Sequence, residues 1–146
     1  DGIECFSGPV GGEGFQAFLH GTRVLVCLLP LTPETENIID RNTLAALAPS
    51  AYVINVARGA HLVEADLLAA LASGQVAGAT LDVFRTEPLP AGHAFWQHPQ
   101  ITVTPHTSAR TLREESIAQI AGKIRALQSG APLSAIAGVV NPERGY

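Results

Sequence analysis

The chain contains no methionine. Translation starts with one, and Asp1 is a poor residue for ordinary initiator removal to expose. The sequence therefore predicts a piece of a longer protein, with a part preceding Asp1. Charge is scarce: Asp, Glu, Lys and Arg make up 15% of residues, against ~25% in ordinary globular domains. Such a surface is expected to be covered in part by something else. The nine Lys and Arg are scattered and the formal net charge is −4, which excludes nucleic acid as the main partner, because phosphate binding needs clustered cations. No apolar run approaches the ~20 residues of a membrane-spanning helix, and no secretory signal opens the chain. Cysteine is limited to Cys5 and Cys27, too few for a disulfide framework and not in a CxxC spacing. Both lie in apolar stretches and are expected to be buried, reduced thiols of a cytoplasmic protein. The histidines show no metal-ligand spacing with carboxylates, so no metal is expected.

What is present is an alternation. The 146 residues correspond to one domain at ~150 residues per domain. Val24 to Leu29 is continuously apolar and predicts a fully buried strand. Ala51 to Val56, Ala77 to Val83 and Ile101 to Thr104 predict three more, with Ile3 to Phe6 as a fifth at an edge. Helices are predicted between them: Glu13 to His20 with Gly21 as C-cap, Arg41 to Leu47 with Asp40 as N-cap, and Glu64 to Ser73 with Gly74 just past its end. Thr111 to Gln128 is the longest, with a stripe of Ile117, Ile120, Ala121, Ile124 and Leu127. Strand–helix–strand alternation with short connections predicts a doubly wound α/β fold, a parallel sheet with helices on both faces. Ligands of such sheets bind beyond the carboxyl ends of the strands.

Chemistry collects at those ends. Arg58 follows the second strand, where its guanidinium could grip a carboxylate bidentately or sit on the surface of a turn made by Gly59. Asp82 closes the third strand, placed to hold a ribose or an amide, or to cap a turn. Glu87 precedes Pro88, hence in extended backbone, aimed at a partner or simply solvated. His106 follows the fourth strand and is the natural acid–base group; a carboxylate beside it, for which Glu87 is a candidate, would stabilise the imidazolium and fix its tautomer. His20, His61, His93 and His98 are assigned packing or surface roles. Gly12 to Ala17 matches G-x-G-x-x-A, but turn material precedes it where a dinucleotide fingerprint needs a buried strand. Ser108, His106 and Asp82 lack the G-x-S-x-G elbow of a hydrolase.

Four segments in order, Leu29 to Thr35 (LPLTPET), Asn55 to Gly59 (NVARG), Leu81 to Pro88 (LDVFRTEP) and Thr104 to Ala109 (TPHTSA), resemble the D-isomer-specific 2-hydroxyacid dehydrogenases, over nearly the whole chain. Phe95-Trp96-Gln97-His98-Pro99 and the ending Arg144-Gly145-Tyr146 resemble the glyoxylate/hydroxypyruvate reductase branch of that family.

The resemblance implies an NAD(P)-dependent oxidoreductase that reduces a short 2-oxoacid, in which Arg58 binds the substrate carboxylate and His106, paired with Glu87, donates the proton. It implies that Pro30 and Thr32 lie near the adenosine part of NAD or NADP, that Asp82 holds the nicotinamide end, and that Val56, Ala57 and Ser108 line the nicotinamide pocket. It implies a homodimer. The chain is about half the family's length and lacks the glycine-rich turn and the strand that selects NAD or NADP. Residues 1–128 are accordingly expected to be a partial, Rossmann-like nucleotide-binding domain, and 129–146 a tail packed on a missing substrate domain or a partner subunit. Such a chain alone is expected to be inactive. The alternatives are another 2-hydroxyacid activity, such as phosphoglycerate oxidation, and a nucleotide-sensing, corepressor-like binding module of the same fold.

Overall fold

The computed structural model describes residues 2–109 and 111–140. The chain divides into two compact units, Asp1–Ser108 and Ala109–Tyr146. The first holds α1 (Glu13–Leu19), β1 (Val24–Cys27), α2 (Arg41–Ala46), β2 (Ala51–Asn55), α3 (Glu64–Ser73), β3 (Val76–Leu81) and β4 (Ile101–Val103). Short 3-10 turns occupy Gly59–His61 and Ala94–Gln97. The strands form one sheet in the order β1-β2-β3-β4, and every pairing is parallel. Their registers align Cys27 with Asn55, Asn55 with Leu81, and Leu81 with Val103. The four carboxyl ends therefore share one edge, and every loop singled out above emerges there.

Local chemistry explains the helices. Asp40 caps α2 by accepting from the Thr43 amide at 2.9 Å, an interaction worth about 1 kcal/mol. Gly74 ends α3 with φ 77°, the left-handed conformation that glycine adopts without a Cβ penalty. α3 packs on β3 and α2. It buries Leu67 and Leu71, each contributing roughly 1.5–3 kcal/mol of hydrophobic stabilisation. Leu25, Val53, Ala79 and Leu81 from the sheet belong to the same core.

Four expectations for this first unit need correction. Ile3 to Phe6 is not a strand; it finds no ladder partner, and Phe6 instead stacks at a tilt on Phe18 of α1. Cys5 is consequently exposed, whereas Cys27 is buried and burial pushes its thiol pKa up. β1 is not buried throughout but alternates, with Leu25 and Cys27 inward and Val24 and Val26 exposed. α1 closes on His20 in right-handed backbone rather than on Gly21.

The second unit contains α4 (Arg113–Gln128) and a 3-10 turn at Leu133–Ala135. α4 starts two residues later than predicted, because Leu112 is extended. Its stripe of Ile117, Ile120, Ile124 and Leu127 is exposed. Arg144 to Tyr146, one of the resemblances noted above, lies outside the described residues. No helix among the described residues is long and apolar enough to cross a membrane.

Candidate active site

The loop after β4 presents His106. Its backbone has φ 54°, a left-handed conformation that is uncommon for a residue with a side chain, and its amide donates to the Thr104 carbonyl at 3.1 Å. Nδ1 of the ring lies 2.8 Å from Oε2 of Glu87. The other carboxylate oxygen of Glu87 accepts the Phe84 amide at 2.9 Å, so the acid is held from both sides. The bond to His106, then the Phe84 amide and the charges of His106 and Arg58, outweigh burial and hold the Glu87 carboxyl below its usual pKa. Nε2 of His106 has no hydrogen-bond partner among the described residues.

Asp82 sits under this loop, 1% exposed. One of its oxygens accepts the Thr104 hydroxyl and the Thr107 amide, and the other accepts the Ser108 amide. Burial opposes its ionisation, but hydrogen bonds from Ser108, Thr104 and Thr107 overcome it and hold the carboxyl far below the usual aspartate range. Asp82 thus fixes the segment that carries His106. The pairing also disposes of a Ser108–His106–Asp82 relay, since His106 is oriented by Glu87.

The sign of the linkage follows. The unfolded pKa is about 3.9 and the folded one lower, so the stabilisation is complete above the unfolded value and lost as pH falls through the folded one. In Asp82→Asn an amide N–H₂ meets a backbone N–H donor. We expect a loss of about 2–3 kcal/mol at pH 7, measured by urea unfolding, that shrinks progressively below about pH 4. A deficit of equal size at pH 7 and pH 3 would contradict this role.

Arg58 is exposed at the end of β2, with one guanidinium nitrogen 2.6 Å from the Ala57 carbonyl. Its backbone is fixed by two side chains to which the sequence assigns no part in the site, Asn55 and His61. Asn55, fully buried, accepts the Ala57 amide at 3.1 Å and donates to the Arg58 carbonyl at 3.0 Å. His61, also fully buried, receives the Arg58 amide on Nδ1 at 3.2 Å. Neither carries a periodicity or spacing signal: Asn55 reads as a strand end and His61 as packing.

Pro30 and Thr32 belong to the loop after β1. Thr35 stitches that loop by donating to the Pro30 carbonyl at 2.7 Å and accepting the Thr32 amide at 2.8 Å. Thr32 and Ala57 are buried, Val56 is half-buried, and Pro30 and Ser108 are exposed. The edge thus combines apolar surface at Val56 and Ala57 with the buried Asp82 carboxylate, an apolar face and a hydrogen-bond acceptor that would suit a nicotinamide ring and its amide. Gly12 to Ala17, by contrast, follows turn residues rather than a strand and opens a helix of 7 residues.

The sequence profile described as the D-isomer specific 2-hydroxyacid dehydrogenase NAD-binding domain matches residues 9–108, and the chain belongs to this family. More particularly, it is similar to glyoxylate/hydroxypyruvate reductase A of Serratia proteamaculans, with 53% identity over 146 residues. It is 48% identical over 147 residues to the protein of the same name in Yersinia enterocolitica. All of this chain is covered in both, but 45% of each relative, so the chain spans about half the length of the curated relatives it matches. Among solved structures, a D-isomer specific 2-hydroxyacid dehydrogenase of Xanthobacter autotrophicus in complex with NADPH superposes with a TM-score of 0.85 at 43% identity, over 92% of this chain and 54% of that one. The NADPH-dependent glyoxylate/hydroxypyruvate reductase of Sinorhizobium meliloti, solved with NADP and sulfate, gives 0.84 at 39% identity, over 91% of this chain and 43% of that one.

Proposed function

We propose that this chain supplies the nicotinamide-side and acid–base half of a cytoplasmic, homodimeric enzyme that reduces a short 2-oxoacid, glyoxylate or hydroxypyruvate, with NADPH. The observation that carries the reading is the His106–Glu87 pair, with Nδ1 2.8 Å from the carboxylate, on the same sheet edge as the Arg58 guanidinium. In this reading Pro30 and Thr32 hold the adenosine side of the nucleotide; Val56, Ala57, Asp82 and Ser108 hold its nicotinamide end. When bound, the reduced nicotinamide supplies a hydride equivalent to the substrate carbonyl carbon. Arg58 grips the carboxylate and stabilises charge gathering on the carbonyl oxygen. His106 delivers the proton to that oxygen from Nε2, while Glu87 holds Nδ1 and balances the imidazolium charge. The names of the relatives, and the nucleotides found in two solved neighbours, support the substrate and the preference for NADPH.

The test is oxidation of NADPH and NADH by the full-length protein that carries this chain, with glyoxylate and with hydroxypyruvate. Rapid oxidation of NADPH is expected, with none by the 146-residue chain alone. Nucleotide binding without oxidation of either nucleotide would overturn the reading. Arg58→Ala in the same protein should raise the oxoacid KM and lower kcat together, cutting kcat/KM by about 10²–10³, as loss of an oxyanion-stabilising donor does. Unchanged kinetics would remove Arg58 from the site.

A further inference from the structure

The segment after β1 and the turn after β2 are joined by backbone hydrogen bonds from Asn37 to the Ala60 carbonyl and from Ile39 to the His61 carbonyl, and, at the Pro30–Thr35 loop, by one buried ring. His61 is fully buried and faces Arg58 with Nδ1 and the Pro30 carbonyl with Nε2, at 3.2 and 3.3 Å. The partners decide where its proton resides. The Arg58 amide donates to Nδ1, which must therefore present a lone pair. The Arg58 carbonyl lies 3.0 Å from Nδ1, nearer than the Arg58 amide, but it already accepts from Asn55 at 3.0 Å and from the His61 amide at 3.2 Å, whereas Nε2 faces a carbonyl and can only donate. The proton thus belongs on Nε2, where the Pro30 carbonyl accepts it. That carbonyl is the same one that Thr35 uses to close its loop.

We propose that His61 is a positioning residue that couples the two halves of the site. One ring nitrogen sets the backbone from which the Arg58 guanidinium reaches the oxoacid, and the other sets the Pro30–Thr35 loop on the nucleotide side. The inference rests on the function proposed above, which assigns those two loops to the two ligands. It adds that the loops are not independent: ordering either one by its ligand orders the other through the imidazole.

Two substitutions split the ring into its halves. In His61→Asn the amide oxygen replaces Nδ1 and keeps the Arg58 amide paired, while the reach to Pro30 is lost. In His61→Gln the amide nitrogen replaces Nε2 and keeps the Pro30 contact, while the Arg58 amide loses its acceptor. In the full-length protein, His61→Asn is expected to weaken NADPH binding, and raise its KM, roughly five- to tenfold, as loss of one buried hydrogen bond does, with the oxoacid KM near its original value. His61→Gln is expected to do the reverse, raising the oxoacid KM and lowering kcat with NADPH affinity retained. Equal shifts in all constants for both variants, or a lower Tm with every constant unchanged, would reduce His61 to packing and overturn the proposal. Nitrogen-15 NMR of the unsubstituted protein decides the matter without any variant. A protonated Nε2 with an unprotonated Nδ1 is expected, and the opposite tautomer overturns the coupling. Should the protein bind NADPH but reduce no oxoacid, the functional reading fails. The NADPH affinity of His61→Asn and the tautomer would then still judge the link between the loops.

Discussion

Replacing His106 with alanine in the full-length protein is expected to lower kcat by about 10²–10⁴, the usual contribution of a positioned general acid, while NADPH affinity stays close to its original value. The asymmetry follows from where the ring sits. Its backbone is held in the left-handed region by the loop that Asp82 pins from below, and among the described residues the ring's one hydrogen-bond partner is Glu87, through Nδ1. Removing the ring therefore deletes a proton donor without unfastening the loop. Glu87→Gln should be milder, since the glutamine oxygen can still accept from Nδ1–H, although its amide nitrogen then faces the Phe84 amide and the imidazolium charge is no longer offset. The two changes should be strongly non-additive: with the ring gone, Glu87 has nothing left to orient, and the double variant should be no slower than His106→Ala. Additive losses would show that Glu87 acts on the substrate by another route. The low pKa of Glu87 also gives a direction for pH. The pair is intact above the usual carboxylate range and fails as pH falls through the folded value of Glu87, so the activity of the unsubstituted protein should carry an acid limb that Glu87→Gln lacks. A pH–rate profile measures it.

How much of this could be read from the chain depends on whether the signal was local. Asp40 and Gly74 do their work within one turn of their helices, through a side-chain cap and a left-handed backbone, and both are visible in the sequence. The strands were visible as β-branched runs, and their common carboxyl edge followed from short connections in a parallel sheet. Arg58, Glu87 and His106 were legible because each lies at the end of such a run. Burial was harder. Val24 and Val26 are as apolar as Leu25 and Cys27, and only the placement of α2 and α3 against one face tells them apart. Ile3 to Phe6 has strand-like composition, but a strand exists only when a neighbour completes its ladder. His61 was passed over for a related reason. Its two partners are 3 and 31 residues away, and the distant one cannot be found from spacing.

The tightest constraint in the site is a hydrogen atom. A Cβ on Gly59 would overlap the peptide group joining Phe84 and Arg85, and backbone cannot rotate aside as a side chain can. The two segments are also strapped together. Arg85 donates to the Leu62 and Ala60 carbonyls, each at 3.0 Å, so moving the Phe84–Arg85 peptide away means breaking those bonds. Moving it also drags the Phe84 amide, which holds Glu87. Gly59→Ala should therefore act twice. Overpacking against backbone is expected to cost about 3 kcal/mol, the upper part of its usual range, and to lower Tm by on the order of 10 °C for a domain of this size. In the molecules that remain folded, the Arg58 turn and the Glu87 segment are forced apart. A displacement of about 1 Å between groups that act on one substrate costs roughly 10² in rate. Gly21→Ala is the control, because nothing lies within 4 Å of a Cβ there. It should leave both Tm and kcat/KM nearly unchanged. If the two alanine variants behave alike, the close approach at Gly59 does not set the distance between Arg58 and the His106–Glu87 pair. If Gly59→Ala alone loses both, one missing side chain is what allows the carboxylate-gripping turn and the acid-holding segment to share a site.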